Sequence, residues 1–194
     1  MNLANKVTFL RIILAPAFFI LYLLEELYFP WLQSQLWVMA ILWLLFIIIE
    51  CSDWMDGLIA RRRNEVSDFG KLFDPFADTL VRMSYFLCFV YTRILPVIPL
   101  LIILFREFGI LFLRILMMKK GIAMGARKGG KLKAVSYALT GLCCLISVTL
   151  LRLGFLDFVF IFRYAAFGLF VLSMVIAVVS FIDYFIVYLK TETK

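Results

Sequence analysis

Residues 35–92 read QLWVMAILWLLFIIIECSDWMDGLIARRRNEVSDFGKLFDPFADTLVRMSYFLCFVYT. Two apolar stretches flank a charged centre, and each is near the roughly 20 residues that cross a hydrocarbon core. Lone strands would leave backbone groups unpaired in lipid, so both stretches are expected to be helices. The short charged connection makes them antiparallel neighbours. Working outward, further apolar stretches complete a set at about 12–29, 35–60, 69–92, 96–117, 134–151 and 164–188. With 65% hydrophobic residues and a mean hydropathy of +1.03, the 194-residue chain is too apolar for a soluble domain, most of whose surface must be wettable. The expected fold is all-α. It is a single polytopic membrane domain over residues 1–194, with six transmembrane helices and a cytoplasm-facing polar cavity.

The net charge of +7 raises the question of nucleic acid, and the placement of the basic residues decides against it. Lys6 and Arg11 precede the first stretch. Arg61, Arg62, Arg63 and Lys71 lie between the second and third. Lys119, Lys120, Arg127, Lys128, Lys131 and Lys133 lie between the fourth and fifth, and Lys190 and Lys194 follow the sixth. The alternate connections hold only Arg93, Arg152 and Arg163. That asymmetry predicts both termini and both basic loops on the cytoplasmic side, here of a bacterial inner membrane, with the cations meeting anionic headgroups. The first stretch has a basic start but no convincing small-residue cleavage site, and Glu25 and Glu26 follow it; it is read as uncleaved. Cys51, Cys88, Cys143 and Cys144 lack paired metal spacing and are read as packing residues.

Acidic residues are scarce, thirteen in all, yet Asp53, Asp56, Asp74 and Asp78 crowd the central connection and its flanks. On a helix, positions 53, 56, 57 and 60 share one face, and 70, 74 and 78 form a stripe on the next. At 1.5 Å rise per residue, both aspartate pairs lie roughly 7–14 Å in from the cytoplasmic ends. Four unpaired carboxylates there repel one another and are costly to desolvate, so cations are required. The chain has no histidine, and an all-carboxylate oxygen site favours Mg²⁺ or Mn²⁺ over zinc. Gly57, Ala60 and Gly70 leave room for a bulky substrate near the backbone, and Arg61 suits a phosphate oxygen.

Asp53, Asp56, Gly57, Ala60, Arg61, Gly70, Asp74 and Asp78 match, at every spacing, the signature D-x2-D-G-x2-A-R-x8-G-x3-D-x3-D. The chain thereby resembles the CDP-alcohol phosphotransferases. The resemblance implies a dimeric membrane enzyme in which two divalent ions, held by the four aspartates, grip the diphosphate of a CDP-linked lipid. It implies Asp53, Asp56 and Asp74 as metal ligands and Asp78 as both ligand and base on the acceptor hydroxyl. Gly57, Ala60, Arg61 and Gly70 would bind the CDP-lipid, and CMP would leave.

The signature does not name the acceptor. Elsewhere the chain resembles the phosphatidylglycerophosphate synthases, in Asn5-Lys-Val-Thr8-Phe-Leu-Arg11, Arg106-Glu107 with Arg114, Gly130-Lys131-Leu-Lys133 and Ser180-Phe-Ile-Asp183-Tyr184. That likeness implies CDP-diacylglycerol as donor and glycerol 3-phosphate as acceptor, the phosphate being met by Arg106, Arg114, Lys131 and Lys133. Direct pairing of Arg106 with Glu107 looks awkward, because sequence neighbours on a helix point about 100° apart. Two residues depart from the synthase pattern: Thr79 stands where lysine is usual, and Ala134 where threonine is usual. Arg82 has two readings, an i, i+4 partner for Asp78 or a cation replacing the one missing at 79, in contact with the acceptor phosphate or an acidic neighbour. The second is preferred, since a base paired to arginine serves poorly. Inositol phosphate, serine and phosphatidylglycerol remain alternative acceptors. A prenyltransferase and a divalent-cation transporter are the rivals from other classes, although a transporter's acids belong near the midplane.

Overall fold

The computed structural model describes residues 3–63, 68–122 and 128–192, with side chains described for these except 3–7, 53–63, 68, 69, 71, 72, 128–131 and 192. Among them are six α-helices: α1 (Leu3–Leu27), α2 (Leu36–Arg63), α3 (Asp68–Tyr91), α4 (Val97–Lys119), α5 (Lys128–Arg152) and α6 (Leu156–Glu192). A 3-10 turn, Pro30–Ser34, joins α1 to α2. Among the described residues three stretches are long and apolar enough to cross a membrane, Thr8–Leu27, Leu132–Arg152 and Leu156–Thr191, and Leu36–Ser52 is a shorter apolar helix. In α3 and α4 the apolar run is broken by Asp74, Asp78 and Arg82, and by Arg106, Glu107 and Arg114.

The helices run up and down in turn. Cross-helix pairs fix the register: Thr8 with Asp74, Arg11 with Asp78 and Tyr22 with Thr92 lie at nearly constant separation, so α1 and α3 are parallel. Trp43 Nε1 donates to Thr149 Oγ1 at 2.9 Å, tying α2 to antiparallel α5. The starts of α1, α3 and α5 therefore share one end of the bundle with the finishes of α2, α4 and α6. At the opposite end, buried Glu25 of α1 is paired with Arg152 of α5. There too, Arg163 Nη2 donates to the Arg93 carbonyl at 2.7 Å.

Ring packing holds the centre. Phe86 meets Tyr85, Tyr137 and Phe170 at centroid distances of 4.8, 5.6 and 5.0 Å, so α3, α5 and α6 interlock around one phenylalanine. Such edge-on contacts matter in lipid, where burial alone does not drive helices together. Gly141 makes the approach possible, because a Cβ there would fall 2.9 Å from the Phe46 ring and 3.3 Å from that of Tyr85. The outer faces are apolar, with Phe158, Phe160, Ile161 and Val179 exposed on α6.

Several expectations need correction. α1 begins well before residue 12, and α6 begins at Leu156 rather than 164. Cations expected in connections belong to helices, among them Arg11 in α1, Arg61, Arg62 and Arg63 in α2, Lys71 in α3, and Lys131 and Lys133 in α5. Glu25, expected just beyond the first span, lies fully buried inside α1. A buried charge needs a partner, and Arg152 supplies it.

Candidate active site

α3 carries the first half of the site. Asp74, Asp78 and Arg82 follow at i, i+4 and i+8, so they lie in one stripe. α1 runs alongside and meets that stripe with its own i, i+3 pair. Thr8 Oγ1 donates to Asp74 Oδ1 at 3.0 Å, and Arg11 Nη1 donates to Asp78 Oδ1 at 2.8 Å. Thr8 and Arg11 are buried, whereas Asp74 and Asp78 are half-buried and reach a cavity.

α4 and α5 carry the second half. Glu107 Oε1 accepts from Arg106 Nη1 at 3.0 Å, Lys133 Nζ at 2.7 Å and Tyr137 Oη at 3.1 Å, and its Oε2 accepts from Lys133 at 2.8 Å. The pairing of Arg106 with Glu107, expected to be awkward, is made. The 100° argument concerns Cα directions, and the arginine side chain is long enough to bend back to its neighbour. The other Arg106 donors are also used within the protein, Nε on the Ala177 carbonyl at 2.9 Å and Nη2 on Ser180 Oγ at 3.0 Å. Arg114 differs. Its guanidinium lies 5.8 Å from the Tyr184 ring centroid, and its buried Nε has no hydrogen-bond partner among the described residues.

The two halves meet in a cavity of about 200 Å³. Asp74, Asp78, Thr79 and Arg82 line it from α3, Arg106, Glu107 and Arg114 from α4, Lys133, Ala134 and Tyr137 from α5, and Tyr184 from α6. Of the residues singled out in the sequence, Asp74, Asp78, Arg106, Arg114 and Lys133 thus share one wall system. Gly70 is buried one turn before Asp74 on α3. Asp53, Asp56, Gly57, Ala60 and Arg61 lie on α2 and Lys131 on α5, but their side chains fall outside the described residues. Among the described residues no group of three or more acids, cysteines or histidines gathers as a metal cage.

Both departures from the synthase pattern, Thr79 and Ala134, line this cavity, and Arg82 links their helices. Its Nη1 donates to the Ala134 carbonyl and to Tyr85 Oη, each at 3.3 Å, and lies 3.8 Å from Glu50 Oε1. The expected acidic neighbour is therefore Glu50, which also accepts from Tyr85 Oη at 3.1 Å. Thr8, Arg11 and Glu50 are site residues that reading the sequence missed. Thr8 and Arg11 were legible as a polar i, i+3 pair at the start of an apolar run in α1, and Glu50 as a lone acid at the end of one in α2.

Comparison with known proteins identifies the family. Residues 1–182 match the CDP-alcohol phosphatidyltransferase family. The chain is 38% identical over 189 residues to a Treponema pallidum protein named CDP-diacylglycerol--glycerol-3-phosphate 3-phosphatidyltransferase, covering 95% of this chain and 88% of that one. It is 35% identical over 138 residues to the Bacillus subtilis protein of the same name, covering 68% and 70% of the two chains. A Mycobacterium tuberculosis protein named probable phosphatidylglycerophosphate synthase is 35% identical over 132 residues, which cover 68% of this chain and 60% of that one. With the family matched over nearly its whole length, the chain belongs to the CDP-alcohol phosphatidyltransferases.

Proposed function

We propose that this protein transfers the phosphatidyl group of CDP-diacylglycerol to sn-glycerol 3-phosphate, giving phosphatidylglycerophosphate and CMP. The observation that carries the reading is that one cavity joins Asp74 and Asp78 to Arg114 and Lys133. Carboxylates suit an activated hydroxyl, and cations suit the phosphate of the same small acceptor. The buried Arg114 Nε, without a hydrogen-bond partner among the described residues, favours a phosphorylated acceptor over serine or free inositol. The relatives' names support the same choice.

In this reading the membrane domain spans residues 1–194 and works as a homodimer. Its six helices cross a bacterial inner membrane, with both termini and the cavity facing the cytoplasm. Asp53, Asp56, Asp74 and Asp78 would hold two Mg²⁺ or Mn²⁺ ions. Half-buried carboxylates at 74 and 78, in a chain without histidine, fit hard oxygen-seeking ions. Such ions supply charge neutralisation of the diphosphate and of the departing CMP. Gly57, Ala60, Arg61 and Gly70 bind the CDP-lipid. Arg114, with Lys131, Lys133 and Arg106, places the acceptor. Asp78 takes the proton as the acceptor hydroxyl oxygen bonds to the phosphatidyl phosphorus and the bond from that phosphorus to the CMP oxygen breaks.

The test offers purified protein CDP-diacylglycerol with a panel of alcohols and identifies the lipid product and released CMP. Phosphatidylglycerophosphate is expected, with activity lost in chelator and restored by Mg²⁺ or Mn²⁺. A better product from serine or inositol phosphate overturns the acceptor, and full activity in excess chelator overturns the metal.

Arg82 gives a second test. If it replaces the lysine missing at 79, Arg82→Leu raises the acceptor KM, and Thr79→Lys added to it restores much of the loss. An unchanged acceptor KM in Arg82→Leu returns Arg82 to a purely structural link between Glu50 and Ala134.

A further inference from the structure

The pair formed by Arg11 and Asp78 is lopsided. The arginine side chain is 2% exposed and the aspartate 37%, so the cation lies beneath the anion, on its core side. Behind the pair is a recess of only about 10 Å³, lined by Arg11, Ile49, Glu50, Asp78, Val81 and Arg82. That is room for about one water, so the guanidinium has little freedom to swing away. One turn earlier, fully buried Thr8 repeats the pattern on half-buried Asp74. α1 therefore contributes a buried donor to Asp74 and to Asp78, and both aspartates also line the cavity shared by α3, α4 and α5.

We propose that Arg11 is a positioning residue: Asp78 is paired with an arginine after all, and what the base loses in reactivity by that pairing is outweighed by the hold on Oδ1, which fixes the carboxylate beside the cavity where the acceptor hydroxyl arrives. Thr8 does the same for Asp74. This rests on the reading of Asp78 as base and metal ligand. Two consequences separate positioning from a merely structural role. A misplaced base slows the chemical step rather than weakening substrate binding, so the effect falls on kcat. Arg11 is also a cation on a carboxylate that another cation must share. Its removal therefore leaves Mn²⁺ binding as tight or tighter, whereas loss of the fold weakens it.

The experiment uses the whole purified chain in detergent, with Arg11→Gln and Arg11→Lys. Free Mn²⁺ is titrated by electron paramagnetic resonance, and kcat and both KM values are measured. For Arg11→Gln the expected result is a kcat lower by about 10- to 100-fold, with each KM changed by less than about threefold. Mn²⁺ binding is expected to be undiminished, and Arg11→Lys to recover part of kcat. Normal kcat in Arg11→Gln, or parallel loss of kcat and Mn²⁺ binding, overturns the proposal. If Arg11→Gln does not fold, Arg11→Lys decides. A reduced kcat with intact Mn²⁺ binding supports positioning, and a normal kcat overturns it. Should Asp78→Asn itself turn over normally, the assignment of the base has failed; if Asp78→Asn is slow and Arg11→Gln is not, only the positioning role has.

Discussion

Asp78→Asn is expected to turn over about 10²–10⁴-fold more slowly than the unaltered protein, the usual worth of general base catalysis. Asparagine keeps the shape of the side chain and an oxygen that can accept from Arg11 Nη1, so the contact across α1 and α3 can survive. What it cannot do is take a proton. The KM for CDP-diacylglycerol should change little, because in the proposed reading its grip is spread over Asp53, Asp56 and Asp74 as well as Gly57, Ala60 and Arg61. A fall beyond the upper figure accompanied by weaker Mn²⁺ binding assigns Asp78 a ligand role as well as a base role. Single-turnover measurement with saturating acceptor isolates the chemical step. Near-normal turnover there places the base elsewhere.

How much of this was legible differs from residue to residue. The aspartates stood out because carboxylates are rare in an apolar chain and were spaced for helical faces. Periodicity along one helix suffices for that. The cations expected to meet the acceptor were likewise visible as charges in or beside apolar runs, and Arg106, Arg114 and Lys133 do reach the cavity of Asp74 and Asp78. Arg11 was misread for a definite reason. Counting basic residues at helix ends assigns each to a headgroup, and the count cannot tell a loop cation from one buried against a partner 67 residues away. Lys133 was absorbed into a basic loop by the same count, although Glu107 holds it by two bonds. Glu25 and Arg152 are 127 residues apart, and nothing local to either predicts the pair. Charges in membrane helices announce that they have partners, but which partner is set by helix packing.

The two arginines of α4 should respond in opposite ways to the same substitution. Arg114→Ala removes a guanidinium that lies over Tyr184 at the cavity wall and has a buried Nε without a hydrogen-bond partner among the described residues. If that guanidinium meets the acceptor phosphate, the loss is a charge-assisted hydrogen bond of about 1.5–3 kcal/mol, or about 10- to 150-fold in acceptor KM. The fold loses little beyond the ring contact. Arg106→Ala instead removes three bonds made within the protein, to Ala177, Glu107 and Ser180. It removes two of the ties between α4 and α6 and takes one of two cations from a carboxylate whose side chain is 9% exposed. Breaking a buried pair from one side costs about 3–5 kcal/mol, so thermal stability in detergent should fall sharply. Lys133 still faces Glu107, which keeps the loss nearer the lower figure. For the protein that remains folded, the acceptor KM should rise less than in Arg114→Ala. Measuring melting temperature and both KM values on the two variants side by side tests the division of labour. If Arg106→Ala is as stable as the parent and carries the larger rise in acceptor KM, then Arg106 is the phosphate ligand and its bonds to α6 are incidental. If Arg114→Ala leaves the acceptor KM unchanged, the cavity's phosphate subsite has been placed on the wrong residue.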